Sequence, residues 1–164
     1  MITTRPITIH DIESYHQVLG TVARERRYLC LLDAPPFEET RSYITKCIDE
    51  GYPFILAMDE DTVIGWCDVV PAGCVGFEHC GRLGMGLHPD YRSQGIGRRL
   101  LNAVIDSCWA YGYTRIELEV FSDNIIAAHM YRQAGFHLEG LKKFAYFLDG
   151  KYRDLIMMAL LRQE

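Results

Sequence analysis

The stretch Arg92-Ser93-Gln94-Gly95-Ile96-Gly97-Arg98-Arg99 restricts the fold more than any other part of this chain. Upstream of it, Arg82–Leu87 reads as a strand ended by His88-Pro89. Downstream, Leu100, Leu101, Val104, Ile105 and Cys108 recur at helical spacing between Gly97 and Tyr111. A glycine loop is therefore held between a strand and the opening of an amphipathic helix. The first N–H groups of a helix have no internal partner and carry the positive end of its dipole, so they suit a phosphate. Glycine lets backbone approach closely, and flanking arginines add charge-assisted hydrogen bonds. The same residues also suit a plain strand-to-helix turn with solvated arginines. Two other phosphate loops are excluded. No Gly-Lys-Ser or Gly-Lys-Thr is present, and Leu100 stands where a dinucleotide fingerprint needs its third glycine.

The rest of the chain supplies partners for this unit. Thr3–Ile9 alternates as a first strand, and Asp11 is expected to cap a helix through Ile12, Tyr15, Val18, Leu19 and Val22. Ala34-Pro35-Pro36 breaks that pattern before a second helix at Glu38–Glu50. Strands follow at Phe54–Met58 and Val63–Val70, joined by Asp59-Glu60-Asp61. Arg115–Phe121 alternates again, with Glu117 and Glu119 on one face and Ile116, Leu118 and Val120 on the other. Asn124–Ala134 is a short helix stopped by Gly135, and Phe136–Leu148 with Tyr152–Leu161 forms a hairpin about Asp149-Gly150. The expected class is α/β, a mixed sheet with helices on both faces.

Composition narrows the function classes. The 164 residues match one domain at roughly 150 residues per domain, expected to span 1–164. Apolar content of 49% with 24% charged excludes a disordered tail, a collagen-like repeat and a disulfide miniprotein. A net charge of −5 argues against a nucleic-acid or anionic-membrane partner. The six cysteines show no Cys-x-x-Cys spacing, so no metal is expected and reduced thiols are the simplest reading, with a disulfide as the alternative. The first ten residues lack the apolar core of a signal peptide, and no run reaches the ~20 apolar residues of a membrane span. A cytoplasmic protein is expected.

Arg-x-x-Gly-x-Gly after a strand resembles the pyrophosphate loop of the GNAT superfamily of acyl-CoA-dependent N-acyltransferases. Leu83-Gly84-Met85-Gly86-Leu87-His88-Pro89-Asp90-Tyr91-Arg92-Ser93-Gln94-Gly95-Ile96-Gly97 is similar to its main cofactor segment. Glu119-Val120 through Asn124 and Tyr131 to Gly135-Phe136 resembles its second signature. The tail from Glu139-Gly140 to Asp149-Gly150-Lys151-Tyr152-Arg153-Asp154 is similar to a branch that acetylates L-amino acids and related small amines.

The resemblance implies the GNAT fold, a central splayed mixed sheet flanked by about four helices. It implies acetyl-CoA as co-substrate and direct transfer of acetyl to a primary amine, such as that of an amino acid. Protein N-termini, polyamines and antibiotic amines are the alternative acceptors, and a non-catalytic acyl-CoA sensor is the alternative class. An aminoacyl-tRNA substrate fits poorly with the net charge. A homodimer is implied by analogy alone.

The resemblance also implies roles for residues. The strand at Arg82–Leu87 should carry a bulge, suited by Gly84 and Gly86, and splay from Arg115–Phe121 so that pantetheine pairs with free strand amides. Met85, Gly86, Leu87, Arg92, Ser93, Gln94, Gly95, Ile96, Gly97, Arg98, Asn124 and Tyr131 are the expected acetyl-CoA contacts. The Leu87 N–H would polarise the thioester carbonyl, and Tyr131 would protonate the leaving sulfur. Glu119 is the expected base and would need burial to raise its basicity; Glu117, His79 and water are its competitors. Arg24 or Arg26 would bind a substrate carboxylate, with Tyr15, Glu25 and Tyr28 in the same region.

Overall fold

The computed structural model describes residues 1–164. Its elements are β1 (Ile2–Pro6), α1 (Ile12–Ala23), α2 (Phe37–Asp49), β2 (Phe54–Asp59), β3 (Thr62–Pro71), β4 (Cys80–Leu87), α3 (Ile96–Tyr111), β5 (Arg115–Phe121), α4 (Ile125–Gln133), β6 (His137–Leu148) and β7 (Lys151–Leu161). The seven strands form one sheet in the order β1-β2-β3-β4-β5-β7-β6. Only β4 and β5 pair in parallel, and α3 makes the crossover between them. The α/β mixed sheet with four helices is the architecture expected from the sequence.

Alternation along the strands divides two cores between the faces. Leu56, Met58 and Trp66 pack with Tyr15, Val18 and Val22 of α1 and Ile44 of α2. Cys67, Val69, Ile116 and Leu118 pack on the other face with Leu100, Leu101 and Val104 of α3 and Tyr131 of α4. The pairing of β2 with β3 skips Ile64 between Ala57–Gly65 and Met58–Val63. That extra residue reverses the phase of the alternation, so Ile64 joins the core of Cys67 and Val69 while Val63 joins that of Trp66.

Two local expectations are corrected. Asp11 does not cap α1: its carboxylate turns back to accept from the Thr8 N–H and hydroxyl, both at 2.8 Å, and from the Arg5 guanidinium at 2.7 and 2.8 Å. Those donors, Arg5 first, hold the Asp11 carboxyl at about 2. They also end β1 at Pro6 rather than Ile9, because Ile9–Asp11 closes into a 3₁₀ turn. The second correction concerns β4, which carries no bulge against β3; their register runs unbroken from Pro71–Gly81 to Gly65–Leu87. Gly86 serves close approach instead. A Cβ there would stand 2.2 Å from the Trp66 ring, which lies across it.

Candidate active site

The sheet forks at its centre. β4 and β5 pair only at Cys80–Arg115, Gly81–Ile116 and Arg82–Glu117. Beyond Arg82, β4 stays with β3 as far as Leu87, while β5 stays with β7 as far as Phe121. Antiparallel ladders exchange hydrogen bonds at alternate pairs. Because the His88 N–H donates to the Ile64 carbonyl at 2.8 Å in this register, Gly84 and Gly86 spend their backbone groups on β3. Leu83, Met85 and Leu87 then aim theirs away from β3, into the fork. An extended ligand arm entering there would meet a half-made ladder.

The loop at the mouth of the fork is built as a helix start. Gly95 takes φ +77° immediately before α3, and nothing lies within 4 Å of where its Cβ would be, so the backbone there is open to a ligand. Ser93, also left-handed at φ +61°, turns the chain ahead of it. The side chains behave less uniformly than the sequence implied. Ile96 is buried in the core beneath the loop and can present only its backbone. Gln94 donates to the Asp90 carbonyl at 3.1 Å, and Arg98 donates to Gln133.

Arg92 is the main departure. Its guanidinium grips Glu25 through two bonds of 2.8 and 2.6 Å and the Leu87 carbonyl through two of 3.0 and 2.9 Å, 4.6 Å above the Tyr28 ring. With those donors engaged, Arg92 ties the end of α1 to the end of β4. Its side chain is not free for a phosphate.

On the other arm of the fork, the Asn124 carbonyl oxygen caps α4 by accepting the Ala127 N–H at 3.3 Å, so its amide nitrogen keeps its donors. Tyr131 lies one helix length further, 6% exposed and tilted against Phe136. Burial, with the Cys67 thiol close by, pushes its phenol above the ordinary range, so the hydroxyl keeps its proton at neutral pH. A cavity of about 450 Å³ opens between α3 and α4, lined by Arg98, Asn102, Met130, Gln133 and Ala134.

The expected bases are not gathered at one point. Glu119 is not buried; its side chain is 38% exposed and its carboxylate is ion-paired with Lys142. The burial that a strong base at Glu119 requires is therefore absent. Glu117 is held by Arg115 at 3.2 Å and Arg82 at 3.5 Å. His79 stands just outside the closed end of the fork, where its carbonyl accepts from Thr114 and Arg115. The arginines expected to meet a substrate carboxylate are occupied as well: Arg24 pairs with Asp33 at 2.7 Å, and Arg26 grips Asp149 at 2.7 to 3.2 Å.

A second pocket, about 420 Å³, lies across β4 from the fork, between α1, α2 and the loop that joins them. Tyr15, Leu19, Leu29, Tyr43, Trp66 and Met85 line it, with Gly84 in its floor. Behind Gly84 and Tyr43 stands Asp68 of β3, only 8% exposed. Tyr43 donates to its Oδ2 at 3.1 Å, and its Oδ1 stands 3.4 Å from where a Cβ on Gly84 would be. Sequence reasoning passed over Asp68. The usable signal was a lone carboxylate in the apolar strand Gly65-Trp66-Cys67-Asp68-Val69-Val70. Burial raises its carboxyl to about 7, and the Tyr43 hydrogen bond opposes that rise.

Comparison with known proteins agrees with this geometry. The family model described as Acetyltransferase (GNAT) family matches residues 21–136. Spermidine N(1)-acetyltransferase of Escherichia coli K12 is 27% identical over 99% of this chain and 87% of its own length. An L-amino acid N-acyltransferase of the same organism is 26% identical over 67% of this chain and 64% of its own length. The crystal structure of a phosphinothricin acetyltransferase from Sinorhizobium meliloti, in complex with acetyl-CoA, superimposes with a TM-score of 0.91 at 23% identity, covering 98% of this chain and 88% of that one. The chain belongs to the GNAT acetyltransferase family, and its activity is that of an acetyl-CoA-dependent N-acetyltransferase.

Proposed function

We propose that residues 1–164 act as a single cytoplasmic domain that moves acetyl from acetyl-CoA directly onto the primary amine of a small molecule. L-amino acids and polyamines, the acceptors named for two relatives, belong to that class. The observation that carries the reading is the fork: beyond its paired end, the backbone of Met85 and the Leu87 N–H face it with no strand opposite, beside a glycine loop that opens α3.

Acetyl-CoA fits these residues. The pantetheine arm would pair with the backbone of Met85 on β4 and the Asn124 amide on the other arm, leaving the Leu87 N–H for the acetyl end. The pyrophosphate would be held by the backbone N–H groups from Ser93 to Arg98, with Gly95 and Gly97 allowing close approach. Bound there, the thioester supplies an activated acetyl group. The Leu87 N–H is preorganised for the developing oxyanion, because Arg92 fixes the carbonyl of the same residue. Tyr131 holds the proton that the departing thiolate needs, and burial keeps that proton in place until sulfur leaves.

The test is a thiol-release assay with acetyl-CoA and a panel of small primary amines, read alongside the mass of the product. Each thiol released should match one acetyl gained by the amine. Tyr131→Phe keeps the ring packed, so acetyl-CoA affinity should stand while kcat falls by ~10²–10⁴-fold. A thioester with a more acidic leaving thiol should recover most of that loss. An unchanged kcat in Tyr131→Phe, with chemistry limiting the rate, would give the acid role to water.

We also propose a homodimer. The supporting feature is β6, a long edge strand that leaves Leu138, Leu141, Phe144 and Phe147 exposed.

A further inference from the structure

The pocket across β4 from the fork has a lopsided chemistry. Its only charged lining residue is Glu39, and the buried carboxylate behind its floor is a second acid, Asp68. No lysine or arginine lines it. Four nearby cations are already paired, Arg24 with Asp33, Arg26 with Asp149, Arg92 with Glu25 and Arg153 with Asp123, and Arg27 lies over the Tyr28 ring outside the lining. A substrate carboxylate entering here would meet Glu39 in the wall, Asp68 behind the floor and no lining cation, so like charge and lost hydration would oppose it. An ammonium would meet the opposite. The remaining walls are largely aliphatic and aromatic, and they suit an apolar body.

We propose that the acceptor is a carboxylate-free primary amine with an apolar body, and that Asp68 receives its nitrogen and takes its proton. This rests on the transferase reading above and names the substrate class and the base for it. Position supports it: Gly84 and Met85 line the pocket, and the backbone of Met85 also faces the fork, so one strand residue separates the acceptor site from the thioester site. Gly84 is the residue in register with Asp68, and with no side chain at Gly84 the carboxylate stands directly behind the pocket floor.

The groups facing Asp68 are Tyr15 from α1, Tyr43 and Cys47 from α2, and the apolar Phe54 from β2. Those phenols and that thiol are raised by burial and stay neutral near pH 7. On β4 the nearest cation in register, Arg82, is turned to Glu117 at 3.5 Å. A carboxyl poised at about 7 has the match to working pH that a general base needs.

In the step itself, the bound ammonium first gives one proton through the Asp68 carboxylate to solvent, and the neutral amine nitrogen then forms a bond to the acetyl carbon as the carbon–sulfur bond breaks. The nitrogen's surplus proton passes to the Asp68 carboxylate, and the sulfur takes the Tyr131 proton. Solvent then restores both residues, leaving an amide and free thiol.

The experiment compares 2-phenylethylamine with phenylalanine, which share one aryl body and differ in the carboxylate. With acetyl-CoA, kcat/KM should favour 2-phenylethylamine by at least about tenfold. Its ascending limb should lie near pH 7. Asp68→Asn keeps the bond from Tyr43 and should lower kcat/KM by ~10²-fold or more, with acetyl-CoA affinity intact by calorimetry. Tyr43→Phe, which removes the bond that holds Asp68 down, should move the limb to higher pH. Equal use of phenylalanine, or a loss under about threefold in Asp68→Asn, would overturn the proposal. So would a loss in Glu119→Gln that Asp68→Asn lacks. If acetyl-CoA binds but no amine gains acetyl, the transferase reading falls. Calorimetry of 2-phenylethylamine on the CoA-saturated protein then decides the Asp68 arm: about tenfold weaker binding in Asp68→Asn supports it, and equal binding overturns it.

Discussion

At the scale of single residues, environment separates side chains that look alike in the sequence. Glu119 and Asp68 are both carboxylates on central strands, yet Glu119 is exposed beside Lys142 while Asp68 is enclosed with one hydroxyl donor. That enclosure has a consequence for stability that needs no substrate. Burial lifts the folded-state Asp68 carboxyl to about 7, against an unfolded value in the ordinary range of roughly 4. Between those values the folded chain holds a proton that the unfolded chain has lost, so stability falls as pH rises across that window. Below it both states are protonated, and above it the full cost is present. Three units correspond to roughly 4 kcal/mol. Asp68→Asn removes the titration. Its urea midpoint should match or trail the parent near pH 4 and exceed it above pH 7, with the difference growing across the window. Parallel curves from pH 4 to 8 would place Asp68 in contact with water.

At the scale of elements, the fork and the loop were legible because their signals are local. Alternation marks β5, the 3.6-residue period marks α3, and Gly95 marks a left-handed turn that no larger residue makes so easily. The turn at Asp149-Gly150 follows the same logic, with φ of +52° and +75° as a type I′ hairpin requires. What stayed hidden depends on contacts distant in the chain. The spacing around Arg92 says nothing of Glu25, which lies 67 residues away, and a lone aspartate in β3 gives no sign of the tyrosine that α2 brings to it. Pairing of Arg24 and Arg26 with Asp33 and Asp149 is likewise invisible until loops fold together. The Arg92 clamp joins the end of α1 to the end of β4, so it should behave as a coupled unit. A double-mutant cycle on Arg92→Met and Glu25→Gln should give a coupling of about 1–3 kcal/mol in urea unfolding, since both side chains are largely enclosed. Coupling near zero, with additive losses, would make the pair a solvated surface contact.

At the scale of the whole molecule, the sheet has two ends that differ in how they are finished. β1 closes one end as a five-residue strand. The other end is β6, twelve residues long, with one backbone edge unpaired and several apolar side chains exposed along it. Phe144 and Phe147 each lie 4.6 Å from the Tyr152 ring, so the patch is preformed on the hairpin. A long unpaired edge carrying exposed apolar side chains invites pairing with another chain, although Lys142 and Lys143 place charge on the middle of this one. Covering by a second copy is a symmetric solution that needs no additional partner. Light scattering should therefore give twice the 18.8 kDa chain mass at micromolar concentration. Leu141 lies on β6 opposite Ile156, at a distance in sequence from the fork, the loop and Asp68. Leu141→Lys places a charge on the exposed face and should shift the mass toward a single chain while leaving the fold intact by circular dichroism. A parent protein that scatters as one chain at every concentration tested would return the edge to solvent, and the exposed aromatic trio would then be a feature of the hairpin alone.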